Sequence, residues 1–356
     1  MISIDDSTKI KNIKPLTLQA LQKVFDLYEI TPKSNVLLWS NTSKNKVSEK
    51  LAKTFLQRLN QLGCTTSVII EKEKTKLGPA SKKTQKCILS LTQGDIFISI
   101  GAGNRGYVEQ NGKHVLMRKL MKKQGFRMVS LGGLDSIKLH RINSFFESFN
   151  HNQKEINSLN KKIKNLLEKT KTIKITCPKG SNLTMELNKN PVISNDGNWK
   201  KYSTNYPIGE VYTAPKEDSC NGIAFVSSAK VSGKTILPKK PIKFIFEKGL
   251  LKSTNSKEIN SNLKYVEKFN KKNNILNWKT APRTIAEFAI GTNRKASIVG
   301  AMICDEKTLG TCHFAIGNNK HLGGKTYCHG HFDNVIKNPT IWFDGKKIMT
   351  NGKLLF

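Results

Sequence analysis

The sequence predicts an α/β fold, with an N-terminal doubly wound, mostly parallel sheet domain followed by a C-terminal mixed α+β domain. Two patterns support this prediction. In residues 1–150, apolar runs typical of buried strands alternate with amphipathic runs typical of helices, as in parallel strands joined by helical crossovers. In the last third of the chain, short strand-like stretches carry most of the histidines and several carboxylates.

The alternation of strands and helices defines the first domain, residues 1–150. Helices are predicted at 16–28, 47–62 and 112–123, and strands at 35–40, 65–71, 96–100 and 127–131. Residues 101–106, GAGNRG, match the GxGxxG fingerprint of dinucleotide sites. The motif does not lie at the first strand–helix turn, and no acidic residue closes a second strand about 20 residues on. A nucleotide site is therefore not expected, and we interpret the glycines as a close-packed loop.

A helix is predicted to link the two domains. Residues 151–172 place five aliphatic side chains on one helical stripe, namely Ile156, Leu159, Ile163, Leu166 and Leu167. The strand at 173–176 then opens the second domain, residues 173–356, which we predict to be a metal-binding catalytic domain. A chain of 356 residues has room for two domains with separate cores.

The densest group of potential metal ligands is the segment YCHGHFD, residues 327–333. In a strand, alternate side chains share a face, so His329, His331 and Asp333 are predicted to point the same way. Two imidazoles and a carboxylate suit Zn, Fe, Mn or Co. Four of the seven histidines fall within residues 313–331. The alternative is that these are ordinary strand histidines, hydrogen-bonded at a sheet edge.

Two glutamates are further candidates. Glu287 lies in IAEFAI, where every neighbour within three positions is apolar or small, so its charge requires a metal ion or a buried partner. Glu210 leads into the β-rich run VYT and is equally compatible with a solvated edge position. Together with His313 in GTCHFAIG, these residues and the YCHGHFD segment form one candidate constellation.

The ordered blocks GEVYTAP, AEFAIGTN, DEKTLGTCHFAIG and HFDNVIKNPTIWFDGKKI resemble the aminopeptidase T family of dinuclear metallo-aminopeptidases, in particular its shorter leucyl-aminopeptidase-like branch. The resemblance covers residues 175–348. It implies five metal ligands, which are Glu210, Glu287, His313, His331 and Asp333. It also implies two divalent ions (Zn, Co or Mn), a homodimer, and hydrolysis of short peptides from the amino end by a metal-activated water.

The same resemblance suggests roles for other residues. Glu287 would take the proton of the attacking water and pass it to the leaving amine. The position of the family's catalytic tyrosine is occupied by Lys320, so Tyr327, His321 and Lys320 are the candidates for stabilising the developing oxyanion. Glu287, Tyr327 and His321 are therefore the predicted catalytic residues of a zinc-type metalloprotease.

The C-terminal end also resembles the iron-dependent dioxygenases that cleave dihydroxypyridine rings. This alternative requires only one Fe(II), held by His313, His331 and Asp333 as a facial triad with open positions. Five ligands with three carboxylates exceed what one iron needs, and for that reason two metals are the favoured prediction. A third alternative is a metal- or polyanion-binding relative that has lost catalysis.

Charge and cysteine usage bear on partners and location. The net charge is +34, but it comes from 53 Lys against 7 Arg spread along the whole chain. Base readout relies on arginine, so nucleic-acid binding beyond non-specific attraction is not expected. Neither a signal peptide nor a membrane span is predicted. Seven scattered cysteines fit a reducing compartment, and the predicted location is cytoplasmic.

Overall fold

The computed structural model describes residues 18–42, 46–72, 78–103, 105–110, 113–115, 117–199 and 205–356. The chain divides into two compact units: unit 1 comprises Met1–Asn150 and Gly197–Pro207, and unit 2 comprises His151–Asp196 and Ile208–Phe356. The fold is a mixture of α and β with one parallel sheet and two large antiparallel sheets, which confirms the predicted fold class at that level. The boundaries predicted at residues 150 and 172 stay predictions.

Unit 1 contains the parallel sheet. Its strands run in the order β2-β1-β3-β6 and pair in parallel throughout. Strand β3 is buried along its whole length, as its apolar sequence IFISI requires for a strand with neighbours on both sides. The described strands and helices of unit 1 are β1 (Asn35–Thr42), β2 (Thr65–Lys72), β3 (Ile96–Ile100), β4 (Val108–Gln110), β5 (Lys113–Val115), β6 (Arg127–Leu131), α1 (Leu18–Leu27), α2 (Val47–Leu62), α3 (Lys82–Leu89), α4 (Met117–Gln124) and α5 (Ile142–Glu147).

One predicted helix of unit 1 begins later than expected. The helix predicted at 112–123 starts at Met117, because residues 113–115 form strand β5 and pair with β4 in a two-stranded antiparallel sheet. Helical periodicity in a lysine-rich segment does not exclude a short hairpin before the helix. Residues 16 and 17 of the first predicted helix, and residues 111, 112 and 116, lie outside the described residues.

The glycine-rich loop after β3 packs closely against the backbone. Gly106 has a φ of +93°, and a Cβ atom there would lie 2.5 Å from the backbone nitrogen of Ala80. Glycine is the residue that tolerates both conditions. Asn104 lies outside the described residues. The glycine at 106 is thus explained by packing within unit 1 and does not require a bound nucleotide.

Unit 2 contains two antiparallel sheets. The seven-stranded sheet has the order β13-β12-β18-β17-β16-β10-β9, and the eight-stranded sheet has the order β15-β14-β11-β8-β7-β19-β20-β21. The described strands and helices of unit 2 are α6 (Gln153–Leu167), β7 (Thr172–Thr176), β8 (Asn182–Glu186), β9 (Ile193–Asn195), β10 (Glu210–Thr213), β11 (Asn221–Val226), β12 (Ser228–Val231), β13 (Lys234–Ile236), β14 (Ile242–Glu247), β15 (Leu250–Thr254), α7 (Lys257–Lys272), β16 (Ile285–Gly291), α8 (Met302–Asp305), β17 (Thr311–Gly317), β18 (His331–Lys337), β19 (Thr340–Phe343), β20 (Lys346–Thr350) and β21 (Lys353–Leu354).

An aromatic core joins the two sheets of unit 2. The ring of Phe314 in β17 meets the rings of Phe244 and Phe246 in β14, with centroids 5.4 and 5.3 Å apart. Phe288 in β16 and Phe343 in β19 make a similar contact at 6.2 Å. These pairs stack the sheets face to face, in the edge-on geometry that aromatic rings prefer. The face of the seven-stranded sheet that points away from this aromatic core is therefore available for polar side chains. None of the helices in the described ranges is long and apolar enough to cross a membrane.

Candidate metal centre

Four neighbouring strands of unit 2 present polar side chains on one face. In the order β18-β17-β16-β10, alternate residues enter the aromatic and aliphatic core, and the residues between them project from the other face. The register sets Glu287 beside Ala315, and Ala315 beside Asp333, while Gly317 pairs with His331. Small residues at the intervening positions therefore leave space between the larger polar groups. The polar residues on this face are Glu210, Glu287, His313, His331 and Asp333.

The imidazoles of His313 and His331 both approach the carboxylate of Glu287, and Asp333 lies beside them. The Nε2 atom of His331 lies 3.0 Å from Asp333 Oδ1 and 3.0 Å from Glu287 Oε2. The Nε2 atom of His313 lies 3.3 Å from Glu287 Oε1. Atoms that share an ion roughly 2.1 Å away are themselves about 3.0–3.4 Å apart at tetrahedral or octahedral angles. These three contacts therefore have the length expected between neighbouring ligands of one ion, and they are also hydrogen-bond lengths.

Hydrogen bonds around this centre leave the inward atoms available. The Nδ1 atom of His331 lies 2.7 Å from the carbonyl oxygen of Asn318 and donates to it, so Nε2 is the ring nitrogen that would bind an ion in exchange for its proton. This arrangement is the usual one for histidine metal ligands. The second oxygen of Asp333 accepts from Lys230 Nζ at 3.1 Å, which orients the carboxylate. These contacts hold the two side chains in place without using the atoms that face the centre.

The electrostatics of the centre follow from burial and close pairing. Burial alone would raise the pKa of Glu287, but hydrogen bonds with His313 and His331 outweigh it and lower that pKa to about 2. Burial alone would lower the pKa of His331, but the charges of Asp333 and Glu287 raise that pKa well above its ordinary value. The centre therefore stabilises positive charge strongly, which a divalent ion supplies as well as protons do.

A second cluster approaches the same ring nitrogen of His313 that contacts Glu287. Glu210 Oε2 is 3.5 Å from His313 Nε2, and Glu210 Oε1 accepts from Lys307 Nζ at 2.5 Å. Lys307 also donates to Glu306, its neighbour in sequence. Burial raises the pKa of Glu210 to about 7, although Lys307 opposes this shift. Glu210 Oε2 and His313 Nδ1 are buried atoms without a hydrogen-bond partner among the described residues.

Not all of the residues predicted from sequence come together. His329 precedes β18 and packs against Phe269 at 4.8 Å between ring centroids. The prediction that His329 shares a strand face with His331 and Asp333 is therefore wrong, because the strand begins only at His331, after Gly330 with its φ of +153°. The ring of His321 lies 5.0 Å from that of His331, and its imidazole joins Glu287 and His331 in one potential ligand group.

Tyr327 and Lys320 belong to a different place. Both line a surface cavity of about 410 Å³ together with Glu217 and Lys325, and none of the predicted metal ligands contributes to that lining. Sequence reasoning also missed Lys230, Glu306 and Lys307. Glu306 and Lys307 stand in the block DEKTLGTCH just before His313, which was a usable signal. Lys230 is one lysine among 53, and no sequence pattern distinguished it from the others.

The described residues fit a divalent ion. Potential ligand atoms of Glu287, His313 and Asp333 all lie within 4.8 Å of one another, as do those of Glu287, His321 and His331. Mixed imidazole and carboxylate donors suit Fe(II), Mn(II), Co(II) or Zn(II). The donor set is that of a metal-dependent enzyme, and comparison with known proteins identifies its family.

Residues 149–356 match the family model NicX, described as 2,5-dihydroxypyridine 5,6-dioxygenase. The match spans more than half of the chain, and the chain belongs to this family. The solved structure of 2,5-dihydroxypyridine dioxygenase from Pseudomonas putida KT2440 superposes with a TM-score of 0.64 over 95% of this chain and 96% of that chain, at 15% identity. At that identity the likeness shows the shared fold. A search among curated proteins found no match.

The family match corrects the aminopeptidase T assignment. The predictions of a hydrolase, an aminopeptidase and a zinc metalloprotease are wrong, because the family model that covers the same C-terminal residues describes a dioxygenase. The two-ion prediction is not supported either. The physical reason for the error is that the resemblance rested on ligand-bearing strands, and one scaffold of this kind hosts different reactions.

Proposed function

We propose that this chain is a ring-cleaving dioxygenase that acts on 2,5-dihydroxypyridine or a closely related dihydroxylated pyridine. The observation that carries the proposal is the convergence of two imidazole Nε2 atoms with the carboxylates of Glu287 and Asp333 at 3.0–3.3 Å, in a chain whose residues 149–356 match the NicX family model. Two histidines and a carboxylate with open positions are the ligand set of non-haem Fe(II) oxygenases.

His313, His331 and Asp333 would hold one Fe(II), and Glu287 would add a carboxylate between the two imidazoles. Such an ion supplies the redox chemistry that joins O₂ to an electron-rich ring. The remaining work falls to the chain's own residues. Asn318 holds the ring of His331 through its carbonyl oxygen, and Lys230 holds the carboxylate of Asp333.

Two further residues lie where an aromatic substrate with two hydroxyl groups would meet the centre. The side chain of Lys230 is 35% exposed although its ammonium contacts Asp333, so it reaches from the rim to the ligands. It offers a positive charge to a hydroxyl oxygen that loses its proton. His321 is exposed and lies beside His331. Its imidazole is a group that can exchange a proton with the substrate at neutral pH.

The test is oxygen uptake by the purified chain. The chain is loaded anaerobically with one equivalent of Fe(II), mixed with 2,5-dihydroxypyridine, and exposed to ¹⁸O₂. We expect one O₂ consumed per substrate, loss of the aromatic absorbance, and a ring-opened product that contains both labelled oxygen atoms. Hydrolysis of amino-acid amides by the same preparation, without oxygen uptake, would refute the proposal.

A pair of histidine variants makes the test specific. His331→Ala removes a ligand and is expected to lose both bound iron and oxygen uptake. His140→Ala removes an exposed histidine of unit 1 and is the matched control, with iron content and activity unchanged. Full oxygen uptake by His331→Ala without bound metal would show that the centre is not the site of the reaction.

A further inference from the structure

The cluster of Glu210, Glu306 and Lys307 beside His313 is not used by the proposed reaction. Lys307 is fully buried, and the side chains of Glu210 and Glu306 are 7% and 10% exposed. The ammonium lies between the two carboxylates, 2.5 Å from Glu210 Oε1 and in contact with Glu306 Oε1. A fully buried lysine is rare, and it is stable only where carboxylates compensate the loss of hydration.

The ammonium of Lys307 lies among side chains that could bind a metal ion. One potential ligand atom from each of Glu210, Glu306 and His313 lies within 4.8 Å of the other two. Glu210 faces His313 with its second oxygen at 3.5 Å. His313 in turn faces Glu287 at 3.3 Å. Both contacts use the Nε2 atom of His313, whose single lone pair can serve one ion. Without the lysine side chain, a second cation position beside the first would therefore have the carboxylates of Glu210 and Glu306 as its ligands.

The charges in this part of unit 2 match one divalent ion. Four carboxylates contact the histidines or lysines of this region and together carry a charge of −4. They are Glu210, Glu287, Glu306 and Asp333. Lys230 and Lys307 return +2. With all four of these carboxylates ionised, one divalent ion brings these six side chains to neutrality. A second ion in addition to both lysines would leave a surplus of +2 in a buried site, which is strongly unfavourable.

We propose that the ammonium of Lys307 takes the place of a second metal ion and restricts this centre to one. The carboxylates of Glu210 and Glu306 act as its ligands, and the site remains mononuclear although its sheet face carries enough donors for two ions. The inference rests on the proposed function for the first ion only, namely that His313, His331 and Asp333 hold one.

The test counts metal ions per chain. The wild-type protein and Lys307→Ala are stripped with chelator, incubated with excess Mn²⁺, dialysed, and analysed for bound manganese. The alanine variant opens room for an ion between Glu210 and Glu306. Lys307→Met is the matched control, because it removes the same charge but keeps most of the side-chain volume. We expect one ion in the wild type, two in Lys307→Ala and one in Lys307→Met.

Thermal unfolding gives a second readout that does not depend on activity. In Lys307→Ala, two buried carboxylates lose their cation, so the metal-free variant is expected to melt below the wild type. The second equivalent of Mn²⁺ should raise its melting temperature again. In the wild type, only the first equivalent should have an effect.

The outcomes separate this inference from the proposed function. One ion in both the wild type and Lys307→Ala would overturn the role of Lys307 and leave the mononuclear centre intact. No ion in the wild type would refute the centre itself. If Lys307→Ala fails to fold without metal, it is refolded in excess Mn²⁺: two bound ions per chain support the inference, and one bound ion overturns it.

Discussion

The carboxylate of Glu287 bridges two imidazoles, with one oxygen near each Nε2 atom. Glu287→Gln keeps the shape of this side chain and removes its charge, so an ion at the centre would lose one of the neighbouring negative groups. We expect the affinity for Mn²⁺ to fall about 10- to 100-fold, as measured by calorimetric titration. Glu247→Gln, on an exposed strand end, is the control. Unchanged affinity in Glu287→Gln would show that this carboxylate does not belong to the centre.

His321 provides a second test at the level of one residue. Its ring lies beside His331 at the exposed edge of the centre. If it exchanges a proton with the substrate, His321→Gln should retain one metal ion but lose about 10²-fold in kcat. The pH profile of kcat should also lose one limb. A variant that loses its metal together with its activity would instead assign His321 to the ligands.

The residue scale also shows what a sequence can and cannot reveal. His331 and Asp333 are two positions apart, so strand periodicity alone brings them to one face, and the structure has them 3.0 Å apart. Lys307 reaches Glu210 across 97 positions of sequence, and no local pattern encodes that contact. The identity of the cation between two carboxylates is decided by tertiary packing.

At the scale of elements, one exposed carboxylate ties the turn between β19 and β20 to the start of β7. Asp344 accepts from the backbone nitrogen of Thr172 at 2.7 Å and from that of Lys171 at 3.1 Å. Its limited burial would raise its pKa, but these donors outweigh that and lower the pKa below its ordinary value. Because Asp344 is exposed and asparagine keeps one acceptor oxygen, we expect Asp344→Asn to lower the free energy of unfolding by no more than about 1 kcal/mol at pH 7.

The pH dependence of this effect has a definite sign. Because the folded pKa of Asp344 is lowered, its contribution is complete above the unfolded pKa, which is about 3.9, and it is lost as the pH falls through the folded pKa. The difference between wild type and Asp344→Asn in denaturant unfolding should therefore shrink below about pH 4. Asp218→Asn, with its side chain 71% exposed, should show no such difference. A constant difference down to pH 2 would contradict the assignment.

The elements were predictable where one pattern dominates. Strand β3 is apolar except for Ser99 and is buried throughout, and helix α2 ends before Gly63, which has a φ of 86°, as a terminal glycine indicates. The hairpin of β4 and β5 was missed because each strand has only three residues, too few for period-two alternation to stand out against a helical pattern.

At the scale of the whole molecule, charge is distributed unevenly. The net charge is +34, and most of the lysines in the described ranges are exposed, whereas Glu210, Glu287, Glu306 and Asp333 are buried in unit 2. A positive surface around a buried negative centre attracts small anions without competing for the cation inside. The amino-acid composition therefore reflects the many surface lysines, whereas the function depends on a few buried carboxylates and histidines. For that reason the composition indicated little about function.

We expect a bound ion to stabilise the two units unequally. All of the proposed ligands lie in unit 2, so a bound ion should protect the amides of unit 2 more than those of unit 1. At a free Mn²⁺ concentration 100 times the Kd, binding adds about 2.7 kcal/mol to the free energy of unfolding of the part of the protein that unfolds together with the site. Hydrogen exchange followed by mass spectrometry should show slower exchange in β16, β17 and β18, and unchanged exchange in β1 and β3. His331→Ala should show neither effect. Equal protection of β1 and β3 would mean that the two units unfold together, and the stabilising effect of the ion would then extend to the whole chain.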